Sequence, residues 1–163
     1  TGIRNLVAQG QEPVGDIFMA RIDLDHLPDI IECWASPGVR AFELWMPGNA
    51  GNDGVEGILP FAKFREPIET SFQRSRDLGV KLHVRNLGHC LLPGLEDHIL
   101  DPRDEPIRIV RPGSPSVGEP VEVPDRVYPE PCDRCVRARG VCPGVDTAYL
   151  GNFGASELAP YKS

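Results

Sequence analysis

The stretch VKLHVR at residues 80–85 decides the fold class of this chain. Its apolar residues alternate with basic ones, and a β-strand directs alternate side chains to opposite faces. The pattern therefore predicts a strand with one apolar face, suited to packing against helices, and one basic face. The basic face consists of Lys81, His83 and Arg85.

Two runs of strand length precede this stretch, at residues 14–21 (VGDIFMAR) and residues 39–46 (VRAFELWM). Apolar residues at helical spacing follow each run, at residues 27–34 and residues 61–78. Parallel strands must be joined by a crossover of helix length, so this alternation predicts an α/β fold with a parallel sheet. Three strands are too few to close a barrel. We therefore expect another polypeptide segment to complete this layer.

The composition excludes some classes of function. The 163 residues carry 17 Lys and Arg against 24 Asp and Glu, which gives a net charge of −7. Because binding to a nucleic-acid backbone depends on clustered Lys and Arg, nucleic acid is not an expected partner. No apolar run approaches the roughly 20 residues of a membrane helix, and no signal sequence is visible. We expect a soluble, cytoplasmic protein with no membrane partner.

The last third of the chain differs from the rest in amino-acid composition. Residues 101–131 are rich in proline, and the short apolar runs at residues 107–110 and 121–123 flank a turn-forming Pro-Gly-Ser-Pro sequence. This arrangement predicts a β-hairpin with a long turn. A short helix is predicted after it, at residues 146–152.

Five cysteines are present, and three of them, Cys132, Cys135 and Cys142, lie close together. An odd number would leave one cysteine over in a disulfide framework, so metal binding is the first hypothesis. The CxxC spacing lets one turn present two thiolates to one metal centre. The fourth ligand is predicted to be Cys90, and Cys33 is the weaker candidate because a cysteine among apolar helix residues is usually buried. Spacing alone leaves zinc and iron–sulfur open.

The position of Cys90 supports this choice. It lies just beyond the third predicted strand, in GHCLLPG at residues 88–94. Ligands of open parallel sheets collect where loops leave the carboxyl ends of the strands. We therefore expect Cys90 to meet the other three cysteines at that edge.

Together these features resemble the C-terminal part of radical S-adenosylmethionine (SAM) enzymes that carry an auxiliary cluster in a twitch or SPASM-like extension. The resemblance is carried by RNLGHCLLPG at residues 85–94 and by PEPCDRCVRARGVCPGVDTAYLGNFGASELAPY at residues 129–161. In such proteins one cysteine follows the last barrel strand, a hairpin comes next, and a terminal CxxC plus Cys completes the set. Residues 23–51 are similar to the strand–helix units of the family's partial barrel.

The resemblance implies an auxiliary 4Fe-4S cluster bound by Cys90, Cys132, Cys135 and Cys142. It also implies three parts: a lead-in segment at residues 1–13, partial β/α barrel strands and helices at residues 14–89, and a hairpin and cluster-binding extension at residues 90–163. The fold class is thus α/β, a half barrel of parallel strands followed by a Pro-rich hairpin and a Cys-rich extension.

One departure from the family concerns the SAM-cleaving cluster. The Cys-x3-Cys-x2-Cys loop that binds this cluster is absent from the sequence. The chain is therefore expected to meet SAM only in a completed enzyme, with a partner polypeptide or an N-terminal half that supplies the missing loop.

The strands also suggest where substrate or cofactor would bind. If their apolar faces pack on helices, the basic residues of the third strand point into the lumen of the partial barrel. The alternative is an edge strand with a solvated face. The residues predicted to face substrate or cofactor are Glu43, Trp45, Lys81, His83, Arg85 and Asn86.

The sequence thus predicts the auxiliary-cluster half of a radical SAM enzyme, which positions a small-molecule or peptide substrate or relays an electron. Two other functions stay open. One is a binding module without enzymatic activity, in which zinc holds the extension together. The other is a small iron–sulfur electron-transfer subunit.

Overall fold

Four parallel strands form the main sheet of the protein. A computed structural model describes residues 2–19, 24–46, 59–100, 108–109, 119–120, 126–138 and 140–162. The strands lie side by side in sequence order. They are β1 (Val14–Phe18), β2 (Ala41–Trp45), β3 (Lys81–Arg85) and β4 (Ile99–Leu100). The predicted α/β class with a parallel sheet is confirmed.

Two helices connect the first three strands. Helix α2 (Leu27–Ala35) lies between β1 and β2, and helix α3 (Ala62–Leu78) lies between β2 and β3. Helix α3 ends at Gly79, whose φ of 63° is a left-handed conformation that glycine adopts without steric cost. Both helices lie close to their predicted bounds, because the spacing of their apolar residues is set by the helical repeat.

The core lies between one face of the sheet and these two helices. Phe42 and Leu44 of β2 are fully buried, as are Ile31 of α2 and Phe64 of α3. The register places Phe42 beside Gly15 of β1, so the apolar residues of neighbouring strands share one face. The opposite face carries Asp16, Glu43 and His83 at one level and Phe18, Trp45 and Arg85 at the next.

One strand and one α-helix within the first 100 residues were not predicted from the sequence. Strand β4 pairs with the end of β3, Val84 with Ile99 and Arg85 with Leu100. A strand of two residues is too short to show the alternation of apolar and polar residues that identifies strands in a sequence. Helix α1 (Gly2–Ala8) occupies the predicted lead-in, and none of its residues is buried. A helix without a buried face has no apolar stripe to reveal it.

The last third contains two short antiparallel pairs. Strand β5 (Arg108–Ile109) pairs with β6 (Glu119–Pro120), which confirms antiparallel pairing in the Pro-rich segment. The predicted turn at residues 112–115 and the run at residues 121–123 lie outside the described residues. Strand β7 (Arg126–Val127) pairs with β8 (Val145–Asp146). Helix α4 (Thr147–Phe153) follows β8 and confirms the predicted short helix.

Among the described residues, no helix combines the length and the apolar character that crossing a membrane requires.

Replacing Gly15 by Ala is expected to destabilise the protein. A Cβ at this position would lie 2.7 Å from Cδ1 of the Phe42 ring, and overpacking of this kind costs about 1–3 kcal/mol. The control is Gly151→Ala in α4, where a Cβ meets no atom within 4 Å. Because glycine disfavours helices by roughly 0.5–1 kcal/mol relative to alanine, the control should be neutral or stabilising. Urea denaturation followed by circular dichroism compares the two variants, and equal stability would contradict the tight packing of Gly15 against Phe42.

Candidate metal centre

Cys90 lies just past the carboxyl end of β3. After Arg85 the chain passes through Asn86, Leu87 and Gly88 into a 3₁₀ helix at His89–Leu91. The Cys90 side chain is partly buried, while its neighbours His89 and Leu91 are buried. The predicted position at the carboxyl edge of the parallel sheet is therefore confirmed.

The other three cysteines lie between β7 and β8. Cys132 belongs to a 3₁₀ helix at Glu130–Arg134, and the Cys135 backbone N–H donates to the Cys132 carbonyl at 3.0 Å. This tight turn presents Cys132 and Cys135 side by side, as the CxxC spacing predicts. Cys142 is buried and is followed by Pro143 and Gly144, which lead into β8.

All four of these cysteines line one cavity. The cavity encloses about 380 Å³, part of it open to solvent. The fold therefore joins Cys90 to a triplet that lies far away in the sequence. Tyr128, Tyr161, Leu158 and Pro160 are further residues of the cavity wall.

The two sides of the cavity touch through glycine and backbone contacts. A Cβ on Gly88 would lie 3.3 Å from the Gly144 carbonyl oxygen, a distance tighter than most side chains tolerate. Gly144 itself has a φ of 84°, which other residues rarely adopt. The His89 backbone N–H donates to Cys142 Sγ at 3.4 Å. The Cys90 segment and the Cys142 segment are thus in direct contact.

Two tyrosines hold the segments around the cavity. The Tyr128 hydroxyl donates to the Cys142 carbonyl at 2.9 Å. The Tyr161 hydroxyl donates to the Glu96 carboxylate, and the His89 carbonyl lies 3.3 Å from the same hydroxyl. This hydrogen bond lowers the pKa of Glu96 to about 2. The end of the chain is therefore fastened to the segment that follows Cys90.

Burial changes the acidity of the thiols. It raises the pKa of Cys90 to about 11, although the Ala159 backbone N–H that donates to this thiol acts in the opposite direction. The neighbouring cysteines add to the rise, and burial likewise raises the pKa of Cys132. A bound metal cation would offset the repulsion of four thiolates here, so metal binding would release protons.

Within the described ranges, no group of three or more His, Cys, Asp or Glu side chains is placed so that it could hold a metal ion. Tetrahedral zinc with bonds of about 2.3 Å needs its sulfurs roughly 3.8 Å apart. A cubane cluster spreads its cysteines farther, because each sulfur binds a different iron. The four thiols therefore share a cavity without the close convergence of a one-ion site.

The expectation that Cys33 is buried is wrong. Cys33 is exposed on α2 and does not line the cysteine cavity. The buried stripe of this helix runs through Leu27, Ile31 and Ala35, four residues apart. Cys33 is two residues from Ile31, which places it on the opposite side of the helix.

The extension is also anchored to the start of α3. Glu157 Oε1 accepts from the Ala62 N–H at 2.9 Å, and Glu157 Oε2 accepts from the Phe61 N–H at 3.0 Å. The Tyr149 hydroxyl donates to Glu157 and accepts from the Phe61 N–H. Helix termini leave backbone N–H groups without intrahelical partners, and Glu157 satisfies two of them. The family resemblance covers Tyr149 and Glu157, but these contacts were not predicted.

The polar face of the sheet contains a buried ion pair. Arg85 makes two hydrogen bonds to the Glu43 carboxylate, one of them 2.9 Å long, and its side chain is only 5% exposed. The guanidinium also lies 5.4 Å from the centre of the Trp45 ring. Burial and the charge of Glu43 raise the pKa of Asp16. Asp16 and Glu43 thus offset the positive charge that the sequence of β3 alone suggests for this face.

The remaining residues predicted to bind substrate or cofactor are spread over this region. Lys81 is exposed at the start of β3, and His83 is half-buried, with its ring 6.2 Å from that of His98. Asn86 follows the strand with a φ of 63°, a left-handed conformation that few residues other than glycine adopt. Glu43, Trp45, Lys81, His83 and Arg85 share one face of the sheet. Their contact with substrate or cofactor stays a prediction.

Comparisons of the chain with protein-family models, with curated proteins and with solved structures find no match.

Replacing Glu157 by Gln should destabilise the protein by about 1 kcal/mol, the usual effect of losing a helix cap. Burial would raise the pKa of Glu157, but the hydrogen bonds from Tyr149, Ala62 and Phe61 outweigh it and lower that pKa. A lowered folded-state pKa gives stability that is present above the unfolded carboxyl pKa, about 4.3, and is lost as pH falls through the folded value. Thermal unfolding at pH 7 and in this acid range measures the difference.

The matched control is Glu66→Gln, on the exposed surface of the same helix. It should change neither the stability at pH 7 nor its pH dependence. A Glu157→Gln variant that follows the wild-type pH profile would show that the cap contributes nothing.

Replacing Arg85 by Met should destabilise the protein by about 3 kcal/mol, because it leaves the Glu43 charge buried without its partner. The double variant Arg85→Met with Glu43→Gln should recover most of this loss. Lys81→Met, on the same strand but exposed, should have little effect. Chemical denaturation of the four proteins at pH 7 measures these differences, and a double variant no more stable than the single one would contradict the ion-pair argument.

Proposed function

We propose that Cys90, Cys132, Cys135 and Cys142 bind a 4Fe-4S cluster. The observation that carries the proposal is that all four thiols line one cavity, although Cys90 belongs to a different part of the sequence from the other three. Four cysteine thiolates are the usual ligands of such clusters. Cys33, which the sequence offered as the weaker fourth ligand, is not among the cavity residues.

The spacing of the four thiols favours a cluster over a single zinc ion. The described side chains are not grouped closely enough to hold one metal ion. A structural zinc ion draws four sulfurs into close contact, whereas a cubane fills a larger space. Zinc is therefore the alternative that metal analysis has to exclude.

Backbone groups around the thiols suit a redox cofactor. The His89 N–H donates to Cys142 Sγ, and the Ala159 N–H donates to Cys90 Sγ. Hydrogen bonds to cluster sulfurs favour the more negative, reduced state and so raise the reduction potential. When bound, the cluster would supply a site that orients substrate or accepts one electron.

We further propose that the chain serves as the auxiliary-cluster half of a radical SAM enzyme. The parallel sheet would be part of a partial barrel, with Glu43, Trp45 and Arg85 on its lumen side. The exposed Phe18, which stacks near Trp45 at a centroid distance of 5.6 Å, supports the view that this face meets another molecule. A polypeptide with the Cys-x3-Cys-x2-Cys loop would bind SAM, and the two would assemble in the cytoplasm.

Protein purified without oxygen should be brown and contain about four iron atoms and four sulfides per chain. Changing Cys90, Cys132, Cys135 or Cys142 singly to Ala should remove most of this iron, because each loses a ligand. Cys33→Ala is the control and should keep full iron content, since Cys33 is exposed and outside the cavity. Iron analysis and visible absorbance measure the effect.

Stoichiometric zinc in a colourless protein would overturn the cluster proposal and support the zinc-stapled module. Full iron content in Cys90→Ala would remove Cys90 from the ligand set. Full iron content with no stable complex between this chain and a polypeptide that carries a Cys-x3-Cys-x2-Cys loop would favour the electron-transfer subunit over the radical SAM role.

A further inference from the structure

A second cavity lies beside the cysteine cavity, at the carboxyl ends of β2 and β3. About 320 Å³ of space lies between its walls, part of it open to solvent. Met46 and Asn86, the residues that directly follow these two strands, line it together with Arg126 of β7 and Asp146 of β8. Small ligands of parallel sheets bind at this edge of the strands. The cavity is thus in the right place for a ligand, and its polar residues indicate which kind.

Asp146 brings a carboxylate oxygen that lacks a partner. The residue is only 7% exposed. Its Oδ1 accepts from the Ala148 N–H at 2.8 Å and the Tyr149 N–H at 3.3 Å, and so caps α4. Its Oδ2 is also buried, and it has no hydrogen-bond partner within the part of the chain that the structure describes. Because a buried acceptor without a donor is costly, a bound molecule with an N–H group would stabilise this site.

Asn86 contributes an unusual backbone conformation and a side-chain amide that can both donate and accept hydrogen bonds. Its φ of 63° is sparsely populated by residues other than glycine, although asparagine tolerates it better than most. Such conformations cluster at ligand-binding positions, where the surrounding structure enforces them. The Asn86 amide offers both a donor and an acceptor to the cavity.

Arg126 places a positive charge next to the carboxylate. It lies directly opposite Asp146 in the β7–β8 pair, and its Nη1 donates to the Gly144 carbonyl at 3.3 Å. Directly opposed residues of an antiparallel pair have Cα atoms about 4.5–5.5 Å apart. Arg126 would repel a ligand that carries only a positive charge, and Asp146 would repel a ligand that carries only a negative charge. A ligand that carries both, at short separation, complements the pair.

We propose that this cavity binds the α-amino-acid group of a small molecule, with its free α-ammonium and α-carboxylate. The ammonium group binds Asp146 Oδ2, the carboxylate faces Arg126, and the Asn86 amide completes the contacts. The inference rests on this cavity alone and does not require the cluster.

Saturation-transfer NMR of the full chain with each of the twenty α-amino acids tests the proposal. At least one amino acid should bind. The amino acid that binds best is then compared with its decarboxylated amine and its deaminated acid. Each analogue should bind about tenfold more weakly or worse, because each loses one charge-assisted contact.

Two variants test the named residues. Asp146→Asn removes the negative charge but keeps a good capping residue for α4, so the protein should fold and lose at least about tenfold in affinity. Asn86→Gly removes the amide while accepting the left-handed φ, and it should also weaken binding. Asp97→Asn, an exposed acid outside the cavity, is the control and should bind like the wild type.

The proposal is overturned if none of the amino acids binds, if either analogue binds as well as the parent, or if Asp146→Asn retains full affinity. Iron content is measured in the same samples. Loss of amino-acid binding with full iron content would contradict the amino-acid site alone. Missing iron with intact amino-acid binding would contradict the cluster proposal alone.

Discussion

The close approach of Gly88 and Gly144 is the constraint on which the cysteine site depends. One glycine follows the third strand, the other follows Cys142, and a side chain at Gly88 would press against the Gly144 carbonyl. Their contact brings the His89 N–H to the Cys142 sulfur. Because Cys90 is adjacent to His89, the same contact joins it to the other three cysteines, and both cavities share Gly88 and Val145.

Buried polar contacts then hold the extension against the sheet and its helices. Glu157 and Tyr149 engage the first backbone N–H groups of α3, and Tyr161 engages Glu96. Apolar residues of the extension, among them Val145 and Leu158, belong to the same core as the sheet. The extension that carries three of the cysteines therefore shares a core with the sheet and α3. We expect the integrity of the cysteine cavity and the stability of α3 to be coupled. A ligand bound by the four thiols would stabilise both.

The polar face of the sheet shows that strand register determines what the basic residues of β3 contact. In β3 alone, three alternating basic residues indicate a site for an anion. Parallel pairing places Glu43 beside this strand and Asp16 one strand farther away, so Arg85 is held by a carboxylate. The aromatic pair of Phe18 and Trp45 then becomes the more accessible feature of the face, since Phe18 is 66% exposed.

The sequence by itself determined the features that follow from local periodicity and spacing. These are the α/β class, the first three strands, helices α2 to α4, and the CxxC turn, because each depends on neighbouring residues alone. Only the tertiary structure decided the partners across the fold: the short strand β4, the exposure of Cys33, the Glu157 cap on α3, and the Glu43–Arg85 pair. These depend on which segments pack together, since a side chain's partner is set by strand register and helix rotation and lies far away in the chain.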